Sequence, residues 1–285
     1  MKKLTEDIIK KDLEAIKRKE DANKTDFGHL LVCAGTFGMA GAAVMCGGAA
    51  LRSGCGLLTF MAEKEIIHIL QTSLPQAMCM DIEKDAEPGK YSAIAIGPGL
   101  VNRAGEGKLE RLLTGSEDGS KAEYEGEMVI DAQSLNVIAE NGWHERLKNK
   151  GTGRVLTPHE GEMARLLGVD SKTVKVDRPG AAEKLYEMTG CNIVLKGKET
   201  IICGAEGLFV NPTGNPGMAT GGSGDVLTGM IAAFACQGMT AFDAACAGVY
   251  IHGLAGDLAA GKYGVVSMTA LDITEMIPAA LNKML

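Results

Sequence analysis

Six short apolar runs, at 29–34, 57–61, 93–96, 128–131, 155–157 and 192–196, are separated for the most part by amphipathic or alanine-rich segments of helical length. An apolar run without polar alternation suits a strand buried on both faces, and the intervening segments are long enough to cross over as helices. The pattern predicts an α/β protein: a mainly parallel central sheet flanked by helices on both faces, a three-layer αβα arrangement. Runs at 201–203 and 208–210, separated by the turn-like 204–207, add a hairpin late in the sheet. The last third turns helical, at 225–237, 241–260 and 269–281, in segments rich in Ala, Gly, Met and Cys that suit close helix packing.

Residues 1–25 read as a charged helical extension. Thr5 is placed to cap it, Glu6 and Asp7 lie in its first turn, and Ile8, Leu13 and Ile16 form its apolar stripe. The polar stretch 115–126 is too short to link independent domains, so 1–285 reads as one domain.

Composition narrows the function classes. Glycine supplies 38 of 285 residues, but the 8 prolines and the lack of a three-residue period exclude collagen and proline-rich disorder. With 29 basic against 36 acidic residues, a net charge of −7 and no basic stripe, an extended nucleic-acid surface is not expected. A membrane span is not expected, and the acidic residues Glu6 and Asp7 are followed by no signal-peptide core, so a cytoplasmic protein is expected. Eight singly placed cysteines read as small buried hydrophobes of a reducing compartment.

The strongest chemical signal is the segment 214–225, ending Gly221-Gly222-Ser223-Gly224-Asp225 and opening an apolar helix. Glycines at a loop-to-helix junction let successive N–H groups converge, and the helix start adds partial positive charge, so the junction suits an anion such as phosphate. No Lys-Ser or Lys-Thr follows, so it is not a Walker loop. Asp225 is either a plain N-cap or a base beside that anion hole. The run of glycine and serine positions before it favours the base, which would take a hydroxyl proton while the amides stabilise a transferring phosphoryl group.

Other strand ends carry polar or small residues toward the same edge. Lys196 and Thr200, in Lys196-Gly197-Lys198-Glu199-Thr200, either meet nucleotide phosphate or ribose or form a solvated hairpin turn. His159 follows a strand and a proline, where open α/β sheets place ligands. His29, His68, His144 and His252 read as structural or surface residues without partners. The turns 35–43 and 97–99 admit close approach of a flat ligand, and 131–136 offers further polar groups.

Taken in order, Gly38-Met39-Ala40-Gly41-Ala42-Ala43, Ile96-Gly97-Pro98-Gly99-Leu100, Val129-Ile130-Asp131-Ala132 with Leu135-Asn136, Leu156 to Glu162, Leu195-Lys196-Gly197 with Thr200, and 221–225 resemble the ADP- or ATP-dependent NAD(P)H-hydrate dehydratases of the ribokinase-like superfamily. The resemblance spans about residues 26–282. It implies a hydro-lyase that returns the S epimer of hydrated NADH or NADPH to NADH or NADPH, by phosphorylating the ring hydroxyl and eliminating phosphate. It further implies Asp225 as base; Ala42 or Ala43, Gly99, Asn136, His159 and Asp225 at the hydrate; and Lys196, Gly197, Lys198, Glu199, Thr200 and Gly224 at ADP or ATP. Mg²⁺ is expected through phosphates and water, with no direct protein ligand. A homotetramer is suggested. Gln133 stands where the family often has a second acid, and the epimerase domain of some relatives is not in this chain. The alternative within the same superfamily is a small-molecule kinase acting on a vitamin precursor.

Overall fold

The computed structural model describes the chain apart from residues 85, 102, 116–122 and 149–152, so most of the expected loop 115–126 lies outside the described residues. Ten strands form one sheet: β1 (Lys2–Lys3), β2 (His29–Cys33), β3 (Leu57–Ala62), β4 (Met78–Asp81), β5 (Ala93–Ile96), β6 (Glu127–Ile130), β7 (Arg154–Leu156), β8 (Asn192–Leu195), β9 (Ile201–Gly204) and β10 (Gly207–Val210). Their spatial order is β1-β10-β9-β8-β7-β6-β5-β2-β3-β4. All pairings are parallel except those of β9, which runs against both β8 and β10.

The six expected strands and the hairpin are present, with strand ends shifted by no more than a residue. The two outer strands were not legible, because β1 is two lysines and β4 is a half-exposed edge.

The helices, in chain order, are α1 (Glu6–Leu13), α2 (Ala40–Arg52), α3 (Ile67–Ser73), α4 (Arg103–Thr114), α5 (Gln133–Asn141), α6 (His144–Lys148), α7 (Glu160–Leu167), α8 (Ser171–Val176), α9 (Arg178–Thr189), α10 (Ser223–Cys236), α11 (Ala241–Tyr263) and α12 (Ala270–Met284). The first three and the last three cover one face, and α4 to α9 cover the other. Strand residues divide between the two cores with period two: Leu30, Val32, Ala93 and Ala95 enter the first, and Leu31, Cys33, Ile94 and Ile96 the second. Both faces are therefore dry, which is why the strands read as continuous apolar runs.

Thr5 caps α1 as expected, its Oγ1 accepting from the Ile8 amide at 3.4 Å. The buried stripe of that helix, however, runs through Ile9 and Leu13 to Ile16, and Ile8 is 36% exposed. The first segment is also tied into the sheet, with Lys2 and Lys3 pairing with Phe209 and Val210.

Helix glycines explain the closeness of the α2–α10 contact. A Cβ at Gly229 would stand 2.0 Å from the Cys46 carbonyl oxygen; Gly47 serves the sheet side of α2 instead, where a Cβ would stand 2.3 Å from the Phe60 ring of β3. Gly48 is different: a Cβ there would meet nothing nearer than 3.9 Å, so its glycine serves no close packing. All eight cysteines are free and all but Cys79 are buried. Among the described residues no helix is long and apolar enough to cross a membrane.

Candidate active site

Strand order reverses between β2 and β5. From β2 the sheet grows through β3 and β4 on one side, and from β5 through β6 to β8 on the other. Open α/β sheets bind ligands outside the carboxyl ends at such a switch point. Here the two diverging loops are tied together, Gly35 N donating to Pro98 O at 2.8 Å and Thr36 Oγ1 to Gly99 O at 3.0 Å. Ala42, in the first turn of α2, lies against Gly99, where a Cβ would come within 2.9 Å of its methyl carbon. Ala43 points elsewhere: it is fully buried beneath Gly35.

The candidate anion hole is the start of α10. Its N-cap is Gly222, at φ +92°, with no side-chain cap. A Cβ there would stand 2.1 Å from the Met45 sulfur of α2, which would have to move, and the positive φ favours glycine. Asp225 is the third helical residue, so the plain N-cap reading does not hold. Burial, reinforced by the charge of Asp131, pushes its carboxyl up to about 7, while Lys196 pulls the other way. A carboxylate so tuned is an effective proton acceptor near neutrality.

Lys196 lies at the centre of the site. Its ammonium is 2.7 Å from Asp131 Oδ1 and 3.9 Å from Glu162 Oε2, and a Cβ at Gly224 would be 3.3 Å from it. Burial works to discharge this lysine, but Asp131 and Glu162 outweigh it and hold its pKa above the usual lysine value. The solvated-turn reading therefore fails for Lys196. Gly197, Lys198 and Glu199 are exposed, Glu199 at φ +53°, and both readings stay open for them. Thr200 closes the turn by donating to Gly197 O at 2.9 Å. Arg178, not singled out in the sequence, donates to the carbonyls of Leu195, Lys196 and Lys198 and so fixes the loop.

His159 caps α7. Its Nδ1 accepts from the amides of Gly161 (2.9 Å) and Glu162 (3.2 Å), and Glu162 returns the bond to His159 N at 2.8 Å. Burial and the neighbouring Lys196 and Arg165 lower its pKa, which favours a neutral ring with its proton on Nε2, 3.4 Å from Glu162 Oε1. His159 and Lys196 line a cleft of about 470 Å³ with Glu160, Gly161, Ser171, Lys175 and Gly197. Asp225, Ala42 and Gly99 are not among its walls.

Asn136 sits beyond this group, accepting from Arg165 Nε at 2.8 Å and donating to Gln133 Oε1 at 3.1 Å. Gln133, in place of an acid, thus orients an amide.

Three of the other histidines do have partners. His29 Nε2 meets Thr59 Oγ1 at 2.8 Å, His144 Nε2 meets Leu166 O at 2.8 Å, and His252 Nε2 meets Ser223 Oγ at 3.4 Å. His252 is buried beside the start of α10, and burial lowers its pKa to about 4, so it is neutral there. The partners lie far away in sequence, and no local pattern announces them.

Among the described residues no three His, Cys, Asp or Glu side chains form a metal cage. Asp131 and Glu162 are already committed to Lys196, Thr228 and the His159 amide. This donor set fits a magnesium ion held through phosphate oxygens and water rather than by the protein.

A family model described as NAD(P)H-hydrate dehydratase matches residues 30–279. An ADP-dependent (S)-NAD(P)H-hydrate dehydratase of Neisseria meningitidis is 35% identical over 266 residues, covering 92% of this chain and 87% of its own. The bifunctional NAD(P)H-hydrate repair enzyme Nnr of Escherichia coli is 36% identical over 93% of this chain, which spans only 50% of that relative's length. The crystal structure of an ADP/ATP-dependent NAD(P)H-hydrate dehydratase from Bacillus subtilis, co-crystallised with ATP/Mg²⁺, superposes with a TM-score of 0.85 at 28% identity, covering 100% of this chain and 99% of that one. With a family match over most of its length and relatives this similar, the chain belongs to the NAD(P)H-hydrate dehydratase family.

Proposed function

We propose that the protein uses ADP, or ATP, to dehydrate the S epimer of hydrated NADH or NADPH. The observation that carries the reading is the juxtaposition of an uncapped helix start, a largely buried lysine and a carboxylate of raised pKa at one sheet edge. Lys196 and Gly224, with Gly197, Lys198, Glu199 and Thr200, take the phosphate-bearing end of the adenine nucleotide. Gly99, Ala42, Asn136 and His159 Nε2 take the hydrate, Ala42 being preferred to Ala43 because it alone touches Gly99.

Asp225 accepts the proton of the ring hydroxyl, whose oxygen attacks the terminal phosphorus of ADP, and AMP departs. The amides of Gly221 to Gly224 and the Lys196 ammonium stabilise the charge on the transferring group. Magnesium on the phosphates would supply charge neutralisation. The ring nitrogen's lone pair then expels phosphate, a far better leaving group than hydroxide. The neighbouring carbon loses a proton and the dihydronicotinamide is restored.

The buried free cysteines support a reducing, cytoplasmic setting. Exposed apolar side chains including Phe37, Val266 and Leu271 supply surface for the suggested homotetramer, whose mass light scattering would read. The deciding experiment incubates the protein with Mg²⁺, hydrated NADH and either ADP or ATP, and follows the return of reduced-nicotinamide absorbance. The expected result is recovery with release of AMP (from ADP) and phosphate. A stable phosphorylated product without recovery would instead make the protein a kinase.

A further inference from the structure

One carboxylate joins three elements of the site. Asp131, at the end of β6 and 1% exposed, commits Oδ1 to the Lys196 ammonium and Oδ2 to the Thr228 hydroxyl, both at 2.7 Å. Thr228 is fully buried and stands three residues beyond Asp225 on α10, so the two share a face of that helix one turn apart. Helical threonines ordinarily return their hydroxyl to the carbonyl four residues back. Thr72, Thr114, Thr189 and Thr274 do so here, at 2.7 to 3.1 Å. Thr228 instead reaches across 97 residues of sequence to Asp131. The loop that presents Asp131 is itself constrained. Ala132 has φ +50°, and a Cβ at Gly97 would stand 1.9 Å from the Asp131 carbonyl oxygen.

We propose that Asp131, anchored by Thr228, is a positioning residue that sets the Lys196 ammonium against the first turn of α10, at a fixed offset from Asp225. A lysine side chain is long and rotates freely, so an ammonium useful to a phosphoryl group in flight must be held by something else. Thr228 references that hold to the helix that carries the base, so lysine and base keep their register. The inference rests on the reading of Asp225 as base.

Asp131 also acts on Asp225 electrostatically. The charged or titratable groups around Asp225 are Asp131 from β6, Lys196 from β8, Glu162 from α7 and Cys46 from α2; His159 and His252 border Lys196. Removing the Asp131 charge lowers the pH at which Asp225 ionises.

The test compares wild type, Thr228→Val, Thr228→Ser and Asp131→Asn for kcat, KM for ADP, pH profile and Mg·ADP affinity. Thr228→Val keeps shape and charge but loses the anchor. It is expected to lower kcat about tenfold and weaken Mg·ADP several-fold, with Thr228→Ser near wild type. Asp131→Asn is expected to lower kcat about a hundredfold and to move the acid limb of the profile to lower pH. Thr228→Val at wild-type values, Thr228→Ser as impaired as Thr228→Val, or an unmoved acid limb in Asp131→Asn overturns the proposal. Should Asp131→Asn not fold, the two Thr228 variants decide. Should wild type fail to dehydrate the hydrate, the functional reading fails separately, and Mg·ADP affinity across the Thr228 pair still decides where Lys196 is held.

Discussion

Helices α7 and α10 both start at the carboxyl edge of the sheet, both approach Lys196, and begin in opposite ways. The first turn of α7 is closed on itself, with the His159 ring accepting two amides and Glu162 returning the bond. The first turn of α10 follows a left-handed glycine and carries no capping side chain. A helix that satisfies its own amides gains stability and shape but has little left for a ligand. One that leaves them open gives up about 1 kcal/mol of capping and gains an anion site. Under the proposed function, α7 holds side chains and α10 holds phosphate.

The largest test of that contrast is Asp225→Asn. Turnover is expected to fall by a factor of about 10² to 10⁴ with Mg·ADP affinity little changed, read by steady-state kinetics and calorimetry. In the wild type the same carboxylate must be ionised to work, so kcat/KM is expected to rise with pH through about 7. The stability effect has the opposite sense. A raised carboxyl pKa means that the folded state holds the proton more tightly, so this contribution favours folding at low pH and is lost as pH rises through about 7. Asp225→Asn should therefore melt higher than wild type at pH above 7.

Lys196→Met comes next. It strands Asp131 and Glu162 without their counter-ion, and a loss of about 3–5 kcal/mol in urea unfolding is expected together with loss of nucleotide binding. Gly222→Ala forces an L side chain to φ +92° against Met45, and about 1–3 kcal/mol of stability should go with much of the Mg·ADP affinity. The smallest effect sharpens the comparison from the α7 side. His159→Ala should lose about 1 kcal/mol of capping and raise KM for the hydrate, whereas His159→Asn should recover the stability but not the KM. If His159→Asn restores both, the ring is only a cap.

Much of the fold was legible because burial on both faces writes itself into sequence as apolar runs, and the hairpin as two runs around a glycine turn. Gly222 in the segment before Asp225 was legible for a similar reason: a backbone that turns at φ +92° disfavours any L side chain. The partners of Lys196 were not. Asp131 stood in a strand-end motif without a role, and Thr228 was one polar residue in an apolar helix, a signal visible only once its position three residues after Asp225 is noticed. Nor could the repeat Ala42-Ala43 say which alanine meets Gly99, since that depends on how α2 is rotated about its axis. The stripe of α1 failed by one residue for the same reason.

The sequence by itself determined the layers, the strand-end loops and the glycine-led start of α10, because these follow from periodicity and local backbone demands. Tertiary structure alone decided that Lys196 is a buried ammonium held by Asp131 and Glu162, and that burial beside Asp131 lifts Asp225 to about 7. Those are properties of charges brought together from distant strands in a desolvated corner, and Coulomb energy depends on separation in space and on the local dielectric, neither of which is encoded at any one position of the chain.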